Sequence, residues 1–305
     1  MKKLYMLFTA PALLLLATSA AQAMNISGTI TTTLTITGYN KLTGNVTCQV
    51  VGPAPCIAFG ADNTELDLNG FTITGDLVIP YPGPTPPSFP TCTNYQAAIS
   101  TKTYAHAKIQ GPGIVTFFTG DGVDLTGSDS ELSQVVVTNV CLNGIVVGTD
   151  GAPGNNNVHN NSVSRSAYVI SGSNGIDVHG SGNTIQQNSV VGVVNGYGIR
   201  IYVSPNNKII GNNSSASGLG IFLDASGYNL IQGNQALGNT QPGGTIWDIV
   251  EYYTGGTNTY QGNLCQGSAV FGTGVLPPCP NLPGYLIGNG SSQDQNNQGQ
   301  NNQQD

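Results

Sequence analysis

Gly175-Ile176-Asp177-Val178, Gly198-Ile199-Arg200-Ile201 and Gly220-Ile221-Phe222-Leu223 follow one another at intervals of 23 and 22 residues, and each leads into an Asn-x-apolar-x-x-Asn stretch. Working outward, Gly122-Val123-Asp124-Leu125 and Gly144-Ile145-Val146-Val147 fit the same unit upstream, and Asp248-Ile249-Val250-Glu251 fits it downstream. The second half recurs around Val158, Ile185, Ile209, Ile231 and Tyr260, between asparagines that end at Asn161, Asn188, Asn212, Asn234 and Asn263. A period of this length is the mark of a solenoid, in which each unit buries its apolar face only against its neighbours. Starts at 122, 144, 175, 198, 220 and 248 describe a coil of 22 or 23 residues with loop insertions.

Each half is short, alternating and rich in Ile and Val, which reads as a strand of three to five residues bounded by Gly, Asn and Ser turns. The 42 Gly and 17 Pro argue against long helices. Leucine-rich repeats share the period but need a Leu-x-x-Leu-x-Leu pattern that is absent. The expected fold is therefore all-β, a right-handed parallel β-helix. The recurrent Asn residues are expected to form a structural ladder, since Asn tolerates the left-handed backbone of tight turns and its amide bonds to the equivalent group one coil away.

Residues 1–23 read as a secretory signal: Lys2 and Lys3, an apolar stretch through Leu16, then Ala21-Gln22-Ala23 before the expected start at Met24. The apolar stretch is too short to span a membrane. The chain is expected to be exported (periplasmic, cell-surface or extracellular), without membrane insertion. Beyond the signal, six basic residues face 15 acidic ones, a net charge of about −9 that would repel nucleic acid. With 8% charged residues, the surface must be covered by Asn, Gln, Ser, Thr and Gly.

Six cysteines (Cys48, Cys56, Cys92, Cys141, Cys265 and Cys279) lie beyond the signal, an even count that points to disulfides in an exported protein. Cys48 with Cys56 and Cys265 with Cys279 are the sequence-near pairs, leaving Cys92 with Cys141, although 15 pairings are formally open. No C-x-x-C is present and His residues number three, so neither a metal site nor a cofactor is expected. The Thr-alternating stretch at 25–45 is expected as a strand capping the first coil, the Pro-rich stretch at 80–95 as an excursion, and 265–288 as a terminal cover. This gives a β-helix domain over 24–288 and a disordered Gln/Asn-rich tail over 289–305.

The run Asn63-Thr64-Glu65-Leu66-Asp67-Leu68-Asn69-Gly70-Phe71-Thr72-Ile73-Thr74-Gly75 resembles the opening coils of bacterial right-handed β-helix repeat proteins of the pectate-lyase-like superfamily. Cys56-Ile57 and Ala61-Asp62-Asn63 match the lead that often precedes it. The resemblance covers roughly residues 55–264 and implies the fold. It leaves the activity open among polysaccharide lyases, glycoside hydrolases, uronate epimerases and members without known activity.

In a Gly-Ile-x-Val-x strand the Ile and Val point inward, so the third and fifth positions face solvent. On successive coils this assembles Asp177, His179, Arg200, Tyr202, Phe222 and Asp224 into one outward patch. Asp177, His179 and Arg200 are the candidate catalytic residues, since an acid or imidazole can move a proton and a guanidinium can pair a uronate carboxylate. Tyr202, Phe222 and Asp224 are the candidate substrate-binding residues, the rings stacking on sugars of an acidic polysaccharide. Asn174-Gly175-Ile176-Asp177-Val178-His179 is also similar to the Y-G-[FI]-D-P-H-D motif of alginate C5-epimerases, with Asn174, Val178 and Gly180 departing from it. Asp121, Asp124 and Asp129 lack the pattern of calcium-binding β-rolls, and the paired-Asp motifs of polygalacturonases are absent, which argues against a hydrolase of that family.

Two readings stay open. One is a carbohydrate-active protein, as an enzyme a polysaccharide lyase or uronate epimerase. The other is a non-catalytic exported β-helix, a structural or surface-interaction module in which Asp177 and Arg200 merely pair across neighbouring rungs.

Overall fold

A computed structural model describes residues 23–77, 92, 94–166, 173–193, 196–240, 244–252, 256–271 and 279. The described residues contain strands and turns but no helix, and hence none able to cross a membrane. Every strand pairing is parallel, and the strands stack into a ten-stranded sheet and a sixteen-stranded sheet. This is a parallel β-helix.

The ten-stranded sheet is built from the Gly-Ile units. Ile145 pairs with Ile176, Ile176 with Ile199, Ile199 with Ile221 and Ile221 with Ile249, so one apolar side chain lies above another along the axis. All five are fully buried, each contributing roughly 1.5–3 kcal/mol by leaving water. The glycine that opens each unit is fixed by the same stacking. A Cβ on Gly175 would lie 2.3 Å from Val190 Cγ1 and 2.5 Å from the Gly198 carbonyl on the next rung. No side chain fits there.

The sixteen-stranded sheet contains two rows of short strands per coil where the sequence shows only one. Thr184–Gln186 and Ser189–Val191 flank Asn188, as Lys208–Ile210 and Asn213–Ser215 flank Asn212. The extra row contributes one small inward residue per strand (Val190, Ser214, Ala236), too little to register as a hydrophobic alternation. The rows merge at the long strands Lys108–Phe118 and Glu131–Val140.

The asparagines form two ladders. The Asn188 side-chain oxygen accepts the Asn161 backbone N–H at 3.0 Å, Asn212 does the same for Asn188 at 2.9 Å, Asn234 for Asn212 at 2.9 Å and Asn263 for Asn234 at 3.0 Å. A parallel ladder runs through Asn156, Asn183, Asn207, Asn229 and Asn258. The left-handed backbone expected at these residues belongs instead to the preceding position, at Asn160, Gln187, Gly211, Gly233 and Gly262. The ladder Asn therefore keeps its side chain turned inward to bond, and its neighbour takes the turn.

The three disulfides join Cys48 to Cys56, Cys92 to Cys141 and Cys265 to Cys279. The Thr-rich segment makes three strands, Met24–Ile30, Leu34–Ile36 and Tyr39–Cys48, the first lying in register on the third, so the segment supplies the opening rungs of the stack. At the other end Ser268–Phe271 pairs with Ile249–Tyr252, so the stack continues past residue 264 and the cover begins later than expected. The signal segment through residue 22, the tail at 289–305 and most of the Pro-rich excursion lie outside the described residues. The Cys265–Cys279 bridge closes a loop with a sequence separation of 14 beside the last rungs. Replacing both by Ser is expected to cost about 3 kcal/mol, read as a lower denaturation midpoint together with faster proteolysis C-terminal to Asn258.

Candidate functional site

The outer face of the ten-stranded sheet carries the candidate residues in register. Asp124, Val146, Asp177, Arg200 and Phe222 occupy one outward row, and Tyr202 lies opposite Asp224 in the next. His179 follows the Asn174–Val178 strand and donates its backbone N–H to the Val147 carbonyl at 2.7 Å. All six candidates thus come together on one face.

Their pairing differs from the simplest expectation. Asp177 and Arg200 are register neighbours, yet the Asp177 carboxylate lies 3.2 Å from His179 Nε2, while Arg200 Nη2 donates to Asp224 at 2.5 Å. The long guanidinium reaches the diagonal position one rung on, and the nearer carboxylate is taken by its own strand's imidazole. Asp150 approaches the other His179 nitrogen at 2.5 Å. Burial pushes the His179 pKa down, but the hydrogen bonds and charges of Asp177 and Asp150 outweigh it, so the net shift is upward and the imidazolium is favoured. The Arg200 guanidinium stacks 4.1 Å from the Tyr202 ring centroid, and Tyr202 meets the His179 ring edge-on at 5.6 Å.

Three buried polar atoms on these two rungs have no hydrogen-bond partner: Asn174 Nδ2, Asp177 Oδ1 and Arg200 Nε. Two donors and an acceptor left unsatisfied under one surface cost about 1–3 kcal/mol each. All three lie beneath the surface, so a ligand on the face does not meet them without a side-chain movement.

Two features of the face are not in the candidate set. The first is an aromatic strip running toward the C-terminal end. Tyr197 and Phe222 lie 4.5 Å apart between ring centroids, Phe222 and Tyr252 6.4 Å, Tyr252 and Phe271 6.0 Å, and Trp247 and Phe271 5.5 Å. Phe222 is 8% exposed, so its ring supports the strip, whereas Tyr252 and Phe271, each 39% exposed, present more surface. The second is a carboxyl pair. Asp121 and Asp124 are hydrogen-bonded to each other on a half-buried rung, and Asn143 donates to Asp121 through its backbone at 2.8 Å and its side chain at 3.0 Å. Burial first, then the charge and hydrogen bond of Asp121, push Asp124 up to about 7. Burial also raises Asp121, against the two Asn143 bonds. The signal in the sequence is Asp-Gly-Val-Asp, whose first and last residues both face outward because the backbone bends at the glycine.

For an acid raised from 3.8 to about 7, the native state holds more protons than the unfolded chain between those values, so stability falls as pH rises through that window. Asp124→Asn mimics the protonated form. It is expected to stabilise the protein, and by more at pH 8 than at pH 5, in denaturation measurements at each of those values.

No curated protein shows significant sequence similarity to the chain. Among solved structures it is similar to the enzymatically active domain of tailspike protein 2 of bacteriophage CBA120, with 13% identity and a TM-score of 0.57 over 83% of this chain and 42% of that one. It is also similar to the Dettilon tailspike protein, with 17% identity and a TM-score of 0.51 over 81% of this chain and 54% of that one. The chain thus spans about half the length of these tailspikes, and the likeness is one of fold. The NosD family, described as periplasmic copper-binding protein, matches residues 86–268. The side chains do not fit a copper site: the six cysteines are in disulfides, and no cluster of three His, Cys, Asp or Glu able to hold a metal occurs among the described residues. His159 is bonded to Glu131 and Asn160, and His179 to its two aspartates. Disulfides and family together mark an exported protein. With the family matching more than half its length, the chain belongs to the NosD family, as a disulfide-bonded parallel β-helix whose residues depart from the metal site that the family's description implies.

Proposed function

We propose that this exported β-helix binds acidic polysaccharide along the outer face of its ten-stranded sheet and acts on it there. The observation that carries the reading is the strip of aromatic rings running beside the Asp177–His179 and Arg200–Asp224 pairs on one outer face. The C–H faces of a sugar lie flat on aromatic rings, and its hydroxyls bond to charged side chains beside them. Arg200 uses Nη2 for Asp224, and the exposed part of its guanidinium can meet a uronate carboxylate or hydroxyl. Rungs about 4.8 Å apart match the advance of one sugar unit, so a polymer lying along the axis meets Tyr202, Tyr252 and Phe271 in turn.

A non-catalytic surface module is favoured by one observation. The ion pairs Asp177–His179 and Arg200–Asp224 satisfy most of the charge on the face among themselves. An array of neutral and uronate-containing glycans, probed with the purified chain and with Arg200→Ala, separates the readings. Arg200-dependent retention of uronate polymers supports the proposal, and uniform absence of binding sinks it.

A further inference from the structure

We infer that the ligand of this face is a polysaccharide whose uronates are widely spaced: one uronate meets Arg200, and the units beside it, above all those over Tyr252 and Phe271, are neutral. This rests on the polysaccharide reading above and goes beyond it by setting the charge spacing of the polymer.

The backbone of the face repeats from rung to rung, but its charges do not. Along one outward row, Asp177 and Arg200 give way to Phe222, Val250 and Ala269. Along the next, Tyr202 and Asp224 give way to Tyr252 and Phe271. The two rungs past Asp224 therefore present no charge at these outward positions. Glu251 lies on one of them, but it is fully buried and points inward to Tyr260.

On the other side of Arg200 the balance is negative. His179 stands between Asp177, at 3.2 Å, and Asp150, at 2.5 Å, so one imidazolium faces two carboxylates. Asp124 lies two rungs farther along the same row. Arg200 is thus the one place on these rungs where an added carboxylate meets a net attraction. Its Nη2 holds Asp224, and its side chain keeps 19% of its surface exposed, which leaves room for a single further carboxylate.

A homopolymer of uronates would bring a carboxylate to every rung, about 4.8 Å apart. The units flanking the one at Arg200 would then face Asp177 on one side and Asp224 on the other, inside the screening length of about 8 Å. The next carboxylates would lose water against the Tyr252 and Phe271 rings and find no partner there. A neutral sugar has the opposite balance. Its hydroxyls donate to the half-exposed edge of Asp224, and its C–H face covers Tyr252 and Phe271, each 39% exposed. The lone available cation and the aromatic strip select the same polymer.

The test uses polygalacturonate and alginate, each methyl-esterified to graded extents, which removes carboxylate charge and leaves the backbone unchanged. Titration calorimetry with the purified chain gives affinity against the fraction of free carboxyl groups. A maximum is expected where about one unit in four is free, one for the Arg200 rung and none for the three rungs that follow it. Affinity there should exceed that of the fully charged and of the fully esterified polymer by about 10-fold. Arg200→Ala should abolish the maximum and leave the esterified polymer as the better ligand. Tyr252→Lys places a cation on an apolar rung. It should move the maximum toward denser charge and strengthen binding of the fully charged polymer by about fivefold, and Phe271→Lys, one rung farther, should do the same if Tyr252→Lys fails to fold. Loss of a merely structural ring would weaken every polymer alike and leave the maximum in place. Affinity that rises or falls steadily with the free carboxyl fraction, or a maximum that both lysine variants leave in place, overturns the inference while the binding reading stands. So does binding of neither series by a chain that retains other uronate glycans. Failure of the parent chain to bind any glycan overturns both.

Discussion

Arg200→Ala is expected to weaken binding of a uronate polymer by about 10- to 100-fold, from the roughly 1.5–3 kcal/mol carried by hydrogen bonds to a charged group. The side chain joins two parts of the face: it bonds Asp224 at 2.5 Å and stacks on Tyr202 at 4.1 Å. Its removal leaves the partly buried Asp224 without a cation and frees the Tyr202 ring, so the loss exceeds that of one contact. The exchange Arg200→Lys should recover little, because an ammonium keeps the charge but cannot bond Asp224 and a second carboxylate in one plane. Calorimetric titration at two salt concentrations checks the assignment. A parent affinity that falls with salt, and an Arg200→Ala affinity that does not, is the expected pair of results. Equal affinities for the parent and Arg200→Ala would move the charge recognition elsewhere.

The repeat was legible because a parallel β-helix must place Ile145, Ile176, Ile199, Ile221 and Ile249 above one another, and that demand is written as a spacing. The strands after Asn188 and Asn212 were not, because each buries a single small residue. The candidate face was legible for the same reason as the core: alternation fixes which positions point out, and register fixes which outward positions meet. What alternation cannot supply is the choice of partner. Arg200 selects Asp224 over Asp177 through the reach of its side chain, and His179 gathers Asp150 from an insertion that breaks the period. The Asp121–Asp124 pair was visible only as a calcium pattern that fails. The upward shift of both carboxyls depends on burial, and Asn143, which opposes it at Asp121, arrives from another coil.

The ladder makes the other large effect. Asn212→Ala is expected to destabilise the stack by about 4 kcal/mol, since each buried group left without its partner costs about 1–3 kcal/mol. The Asn212 carboxamide accepts the Asn188 backbone N–H at 2.9 Å and its side-chain amide at 3.0 Å, and it donates to the Ile185 carbonyl at 2.8 Å and to Asn234 Oδ1 at 3.0 Å. Alanine removes all four bonds and admits no water in their place, because Asn188, Asn212 and Asn234 are 0–1% exposed. Asn213 is exposed on the next position, and Asn213→Ala should fall within about 0.5 kcal/mol of the parent. In a solenoid, where each coil contacts only its neighbours, the damage is local. Hydrogen exchange in Asn212→Ala should quicken first at Asn188, whose backbone N–H loses its acceptor, and spread to the adjoining rungs before the terminal ones. A loss below about 1 kcal/mol would mean that a neighbouring side chain moves in to fill the rung. The coil would then owe its cohesion to the stacked Ile and Val residues, and the asparagines would serve to hold the register between rungs, including the register that aligns Asp124, Asp177 and Arg200 on the outer face.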